Sequence, residues 1–109
     1  MSVSVMILNP QNDFEKHFFL PVATESFFNQ YWLPGIEYLE LKWIILFSTG
    51  VDVEEEDLPN IFAELILLKE WADQNLEEEQ RNRLFERVDG LMEKLPKAFQ
   101  RKDAVVFIG

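Results

Sequence analysis

The stretch Leu58 to Gln74, LPNIFAELILLKEWADQ, carries apolar residues at Leu58, Ile61, Leu65, Leu68 and Ala72. Steps of three, four, three and four residues return to one face of a helix with 3.6 residues per turn, whereas a strand needs strict alternation. The spacing predicts a central helix over 58–74, with Asp57 as its cap. Phe62 and Ile66 widen the stripe on one side. Leu67 and Trp71 lie on the opposite flank, beside Asn60, Glu64 and Gln74. A helix that is apolar on two sides is normally held between layers, which predicts Leu67 and Trp71 in the core. The alternative is an exposed anchor pair for a partner.

Working outward, Glu77 to Leu95 reads as a second amphipathic helix, with Leu84, Val88, Leu91 and Leu95 as its stripe and Phe85 and Met92 on the shoulder. Asn75 is the expected cap and Pro96 the stop. Glu77, Glu78 and Glu79 fall in the first turn and Lys94 in the last, as the helix dipole favours. Glu77 with Arg81, and Glu79 with Arg83, have the i, i+4 spacing of favourable pairs, each contributing about 0.2 to 0.5 kcal/mol. Upstream, Thr24 to Trp32 reads as a short helix capped by Thr24 and closed before Leu33-Pro34-Gly35. The segment Ile36 to Phe47 fits two patterns. As a helix it aligns Ile36, Leu39, Trp43 and Leu46; as a strand it aligns Leu39, Leu41, Trp43, Ile45 and Phe47. Its length and composition favour helix.

The flanks change period. In Ser2 to Ile7, Val3, Val5 and Ile7 alternate with Ser2, Ser4 and Met6, and Asn9-Pro10 ends the run. Ala104 to Ile108, AVVFI, is a second β-rich run. Two isolated ribbons bury too little to stand alone, so the two are expected to pair, or to join a small sheet, against the helices. The fold class is therefore α+β, mainly α: three to four helices with a small sheet formed by the N- and C-terminal strands. Its 109 residues suit one domain, 1–109, and the 48% hydrophobic content excludes a disordered chain.

Charge is concentrated. Of the net charge of −10, residues 51–80 hold eleven acidic groups against Lys69, a local −10; residues 1–50 hold five acidic against two basic, and residues 81–109 four against seven. Within the central segment, GVDVEEEDLP places Asp52, Glu54, Glu55, Glu56 and Asp57 in six residues without a cation. A field of that sign repels nucleic acid and anionic membrane and favours a basic partner. One or two carboxylates suffice to satisfy a helix start, so capping leaves most of the cluster unexplained. Its alternate spacing suggests a calcium loop, but an EF-hand needs Gly at its sixth position and Glu at its twelfth, where Asp57 and Ala63 stand.

Other chemistry is sparse. No cysteine is present, and His17 is the single histidine, which reads as a structural or solvent-facing residue without a recognisable nucleophile. The four glycines form no phosphate loop or dinucleotide fingerprint. The N-terminal aromatics, Phe14 to Trp32, have core spacing and only Lys16 among them, and Lys97, Arg101 and Lys102 read as a solvated connection. No apolar run approaches the roughly 18 residues of a membrane span, and no secretory leader is evident. No catalytic residue, metal or cofactor is expected.

The run from Asp52 to Glu79, DVEEEDLPNIFAELILLKEWADQNLEEE, in a small cysteine-free chain, resembles bacterial toxin-immunity proteins of the contact-dependent or colicin kind. That resemblance implies a cytoplasmic protein that binds a cognate toxin, often a basic nuclease, and blocks its active site or substrate surface. From the charge alone, the expected partner surface is Asp52, Glu54, Glu55, Glu56 and Asp57. Glu64, Glu70, Asp73, Glu77, Glu78 and Glu79 extend it, with Trp71 as anchor and the protein a monomer or weak homo-oligomer. The competing reading is a non-catalytic adaptor or oligomerising subunit that packs its 58–74 helix on another chain.

Overall fold

The computed structural model describes residues 2–109. Its strands are β1 (Ser2–Ile7), β2 (Phe19–Thr24), β3 (Val51–Val53) and β4 (Val106–Ile108), and its α-helical segments are α1 (Asp13–His17), α2 (Glu25–Phe27), α3 (Leu33–Leu39), α4 (Leu58–Asn75) and α5 (Glu78–Lys94). The sheet is antiparallel throughout, in the order β2-β1-β4-β3, so the first and last strands are its two central members. The α+β, mainly helical class is therefore the one the sequence predicts, including the pairing of its two flanks. Strands β2 and β3 were not evident in the sequence. Pro21 sits inside β2, which an edge strand tolerates because its outward positions need no donor, and β3 is only three residues long.

Alternation in β1 places Val3, Val5 and Ile7 on the covered face, where they meet Leu20 and Val22 of β2, Val53 of β3, and Val106 and Ile108 of β4. Helices α4 and α5 supply the opposing layer. In α4 the buried residues are Leu58, Ile61, Leu65, Leu68 and Ala72, the stripe read from its spacing. In α5 they are Leu84, Val88 and Leu91, continued by Leu95 in the 3-10 turn Leu95–Ala98. The chain thus extends helically past Pro96, because that residue occupies the first turn, where its missing N–H is not required.

The same physics corrects the expected stop at Leu33-Pro34-Gly35. Thr24 does cap the helix start, its Oγ1 accepting from the Phe27 N–H at 3.1 Å. Helix α2 then runs through a wide π-helical turn, Phe28–Trp32, into α3, with Pro34 in the first turn of α3. Segment 36–47 is neither of the two forms expected. Helix α3 ends where Glu40 adopts a left-handed φ of 56°, and after a short bend Ile44–Ser48 forms a 3-10 helix. Ile36, Leu41, Ile44 and Phe47 are its buried residues, a spacing that matches no single period.

Caps differ as well. The Asp57 carboxylate reaches back one turn to accept from the Glu54 N–H at 2.9 Å and makes no side-chain cap to α4. Asn75 does not start α5; its Nδ2 donates to the Trp71 carbonyl at 2.8 Å, closing α4, and Glu77 precedes α5. Arg81 lies 4.0 Å from Asp73 and Arg83 sits over the Phe27 ring, so neither arginine serves the expected i, i+4 pairing. No helix is long and apolar enough to cross a membrane, among the described residues.

Leu67 is 45% exposed, contrary to the core expectation, because only the Trp71 side of that flank is covered. Trp71 is half-buried against Gly35 of α3, where an added Cβ would stand 2.5 Å from Trp71 Cε3 and 2.8 Å from Leu68 Cδ1. Gly35 therefore sets the approach of α3 to α4. Replacing it (Gly35→Ala) is expected to lower unfolding free energy by about 1 to 3 kcal/mol, the cost of overpacking. A urea midpoint equal to that of the parent protein would show that the helices separate freely.

Candidate functional site

The acidic corner of the molecule follows from strand pairing. Asp52 pairs with Phe107 and Val53 with Val106, which fixes β3 beside β4. The chain leaves β3 at Glu54 and enters the 3-10 turn Glu55–Asp57, which passes directly into α4. Five carboxylates are thereby held between a sheet edge and a helix start, and four of them, Asp52, Glu54, Glu55 and Glu56, are exposed.

Contact with the Glu56 carboxylate and, to a lesser degree, the charge of Asp57 hold the exposed Glu54 carboxyl above the ordinary glutamate range. Beside them lies a recess of about 360 Å³, lined by Glu54, Glu55, Glu56, Lys102, Asp103, Ala104 and Val105. A second recess, of about 610 Å³, is lined by Asp52, Arg101 and Asp103 together with Leu8, Asn9, Gln11 and Val105. The two share Asp103 and Val105 and form one continuous surface. Asp103 is thus a sixth carboxylate at the site. The only sequence signal for it was its position before the last strand, readable once β4 is known to pair with β3.

Arg101 is not the solvated residue expected. Its Nε donates to Glu15 Oε2 at 2.7 Å and its Nη1 to Asp103 Oδ1 at 3.0 Å. The Glu15 side chain is fully buried and also accepts the Gln11 N–H at 2.8 Å. The guanidinium and that backbone donor hold the Glu15 carboxyl below the ordinary range, and the carboxylates raise the affinity of Arg101 for its proton. This pair fixes α1 and the segment ahead of β4, and so positions Asp103.

The remaining predicted residues are dispersed. Glu64 faces the chain itself: its carboxylate accepts from the N–H groups of Lys42, Trp43 and Ile44 at 3.0 to 3.1 Å, which occupies the first donors of the Ile44–Ser48 helix. It is a clamp, and it leaves the proposed surface. Trp71 is engaged with Gly35 as described. Glu70 and Asp73 are exposed on α4, and Glu77, Glu78 and Glu79 at the start of α5. At 1.5 Å per residue, α4 separates these last groups from Asp57 by roughly 25 Å. The acidic run of the sequence is therefore two separate clusters, and only Asp52, Glu54, Glu55, Glu56 and Asp57 stay together.

His17 is exposed, with Nδ1 2.8 Å from the Asp13 carbonyl, away from these carboxylates. Among the described residues no group of three or more His, Cys, Asp or Glu is placed to hold a metal ion. What the corner can do chemically is accept several hydrogen bonds from cationic donors at once, which suits Arg and Lys. Comparison of the chain with protein-family models, curated proteins and solved structures finds no match in any of the three.

The two perturbed glutamates act oppositely with pH. The raised Glu54 carboxyl favours the folded protein fully below its unfolded pKa, and that contribution is lost as pH rises through the higher folded value. The depressed Glu15 carboxyl favours the fold above its unfolded pKa, and its contribution is lost as pH falls through the lower folded value. Glu54→Gln is therefore expected to raise Tm at neutral pH and to flatten the profile just above the ordinary glutamate range, leaving the acid limb in place. Melting followed from neutral to acid pH checks this; an unchanged neutral Tm would mean that Glu54 and Glu56 do not repel.

Proposed function

We propose that this protein is an acidic immunity protein of the cytoplasm, which binds and neutralises a cognate bacterial toxin that is basic and of nuclease type. The observation that carries the reading is the corner formed by Asp52, Glu54, Glu55 and Glu56. There the fold keeps like charges close enough to raise a carboxyl pKa, beside an open recess. Outside the corner some carboxylates are paired, as at Lys69 with Asp89 at 2.7 Å. A carboxylate cluster of this kind costs stability in the free protein and is offset when cationic groups of a partner bind it.

In this reading the carboxylates take the positions of substrate phosphates in a basic groove, so the bound protein covers the toxin's active site or substrate surface. Arg side chains of the toxin match the carboxylates in bidentate geometry, and the long-range field speeds encounter at low salt. The adaptor reading retains one supporting observation, the outward exposure of Ile66 (46%) and Leu67 (45%) on α4. It predicts that Leu67→Ser abolishes partner binding while charge reversal at residues 54–56 does not.

The test is whether a neighbouring reading frame encodes a basic, growth-inhibiting domain that this protein neutralises on co-expression, followed by binding kinetics with the purified pair. Glu54→Lys, Glu55→Lys and Glu56→Lys together are expected to slow association at low salt by about tenfold or more and to abolish protection. Survival without physical binding, or an association rate indifferent to the three reversals, would exclude direct inhibition through this corner.

A further inference from the structure

The covered face of the sheet is occupied by helices, and the open face has an unusual composition. The registers place Phe19 of β2, Met6 of β1, Phe107 of β4 and Asp52 of β3 side by side in one cross-strand row. With strands about 4.8 Å apart, the row spans about 14 Å. Phe19 is 61% exposed and Met6 42%. The half-buried Phe107 ring lies against Gly50 and Gly109, where a Cβ on either would stand within 2.8 Å of it. By alternation Leu8 and Val105, both half-buried, flank the row on the same side. An antiparallel sheet with one face in water ordinarily turns polar residues outward, and this one turns three large apolar side chains outward in four positions.

The two ends of the row carry opposite charge. At the β3 end stand Asp52 and, two residues on and on the same face, Glu54; of the cations in the adjoining recesses, Arg101 is paired with Glu15 and Asp103, and Lys102 stands against three glutamates, so this end stays negative. At the β2 end Phe19 opens into a recess of about 540 Å³ lined by Phe14, Phe18, His17, Lys94 and Lys97, with Asp13 the one carboxylate there. A strip that is negative at one end, apolar in the middle and positive at the other is complementary to its own reversed copy.

We propose that the open sheet face is a homodimer interface, closed by a second copy of this chain across a two-fold axis. The axis falls between Met6 and Phe107, so Met6 of each copy meets Phe107 of the other at the centre. Asp52 and Glu54 of each copy then face Lys94 and Lys97 of the other. Such an isologous contact closes on itself and stops at two subunits. The exposed pair Ile66 and Leu67 on α4 has no comparable charge pattern, since Glu70 borders it.

The face is small. A row of about 14 Å, with two strands only three residues long, falls short of the roughly 800 Å² per partner of a standard interface. The dimer is consequently weak and reversible. Each copy carries −10, so net repulsion opposes association at very low salt; at physiological ionic strength a Debye length of about 8 Å screens it while the contact pairs persist. This dimer stands apart from the toxin reading, because it needs no other protein. If both hold, toxin and second copy compete for Asp52 and Glu54.

Sedimentation equilibrium of the full chain at physiological ionic strength tests the proposal. The protein is expected to show a monomer–dimer equilibrium with Kd below about 1 mM. Met6→Lys, which lowers the net negative charge, is expected to weaken it by at least about tenfold. Lys94→Glu with Lys97→Glu weakens it too, and adding Asp52→Lys and Glu54→Lys to that variant restores it, since both ends are then inverted. Should Met6→Lys fail to fold by circular dichroism, Phe19→Ser reads the same face. A parent protein that is monomeric up to about 1 mM overturns the proposal. So does a dimer unaffected by both Met6→Lys and Phe19→Ser, a fourfold variant no tighter than the double lysine variant, or a dimer lost only on Leu67→Ser.

Discussion

Backbone pairing between the first and last strands organises this protein. Ser4 and Gly109 exchange reciprocal N–H···O bonds at 3.2 and 3.0 Å, and the Leu8 N–H reaches the Val105 carbonyl at 2.9 Å. Because β1 and β4 are the central pair, each carries an outer strand that has no other neighbour in the sheet: β1 holds β2 and β4 holds β3. Loss of the central pairing would separate the sheet into two two-stranded ribbons, each too small to be stable alone. Everything the surface offers derives from it, since the apolar row, the acidic corner and the position of Asp103 all depend on β4 lying between β1 and β3.

Two polar devices and one close apolar contact then fix the connections. The Arg101 pair with buried Glu15 ties α1 to the segment before β4. The Glu64 carboxylate holds the N–H groups of residues 42–44, and Gly35 lets α3 descend onto Trp71. Each joins residues at least twenty positions apart, and each uses a side chain whose local sequence suggests another role. Glu64 looked like one more surface acid. Arg101 looked like part of a basic connection.

That contrast explains what was legible beforehand. The buried stripes of α4 and α5 and the inward alternation of β1 were readable because apolar periodicity is a local property with a physical period. The end of α3 and the bend before Ile44 were not, because a left-handed Glu40 and a carboxylate reaching over from α4 replace periodicity there. Leu67 was misplaced because a second apolar flank shows only that a neighbour is needed, and α3 covers Trp71 without reaching it. For the site, the cluster Asp52 to Asp57 was legible as a charge anomaly. Its partner Asp103, its separation from Glu77 to Glu79, and the row Phe19–Met6–Phe107 required strand order and register, which composition does not encode.

The β1–β4 pairing belongs to the global fold and is not a loosely docked flap. Native-state hydrogen exchange of the Ser4 and Leu8 amides measures this. Their donors point at carbonyls of residues 109 and 105, so they exchange only when that pairing opens. The predicted result is an opening free energy for both amides equal to that of the amides of Leu65 and Leu68 in the middle of α4. Exchange of Ser4 and Leu8 through a local opening far below the global value, while α4 stays protected, would contradict it.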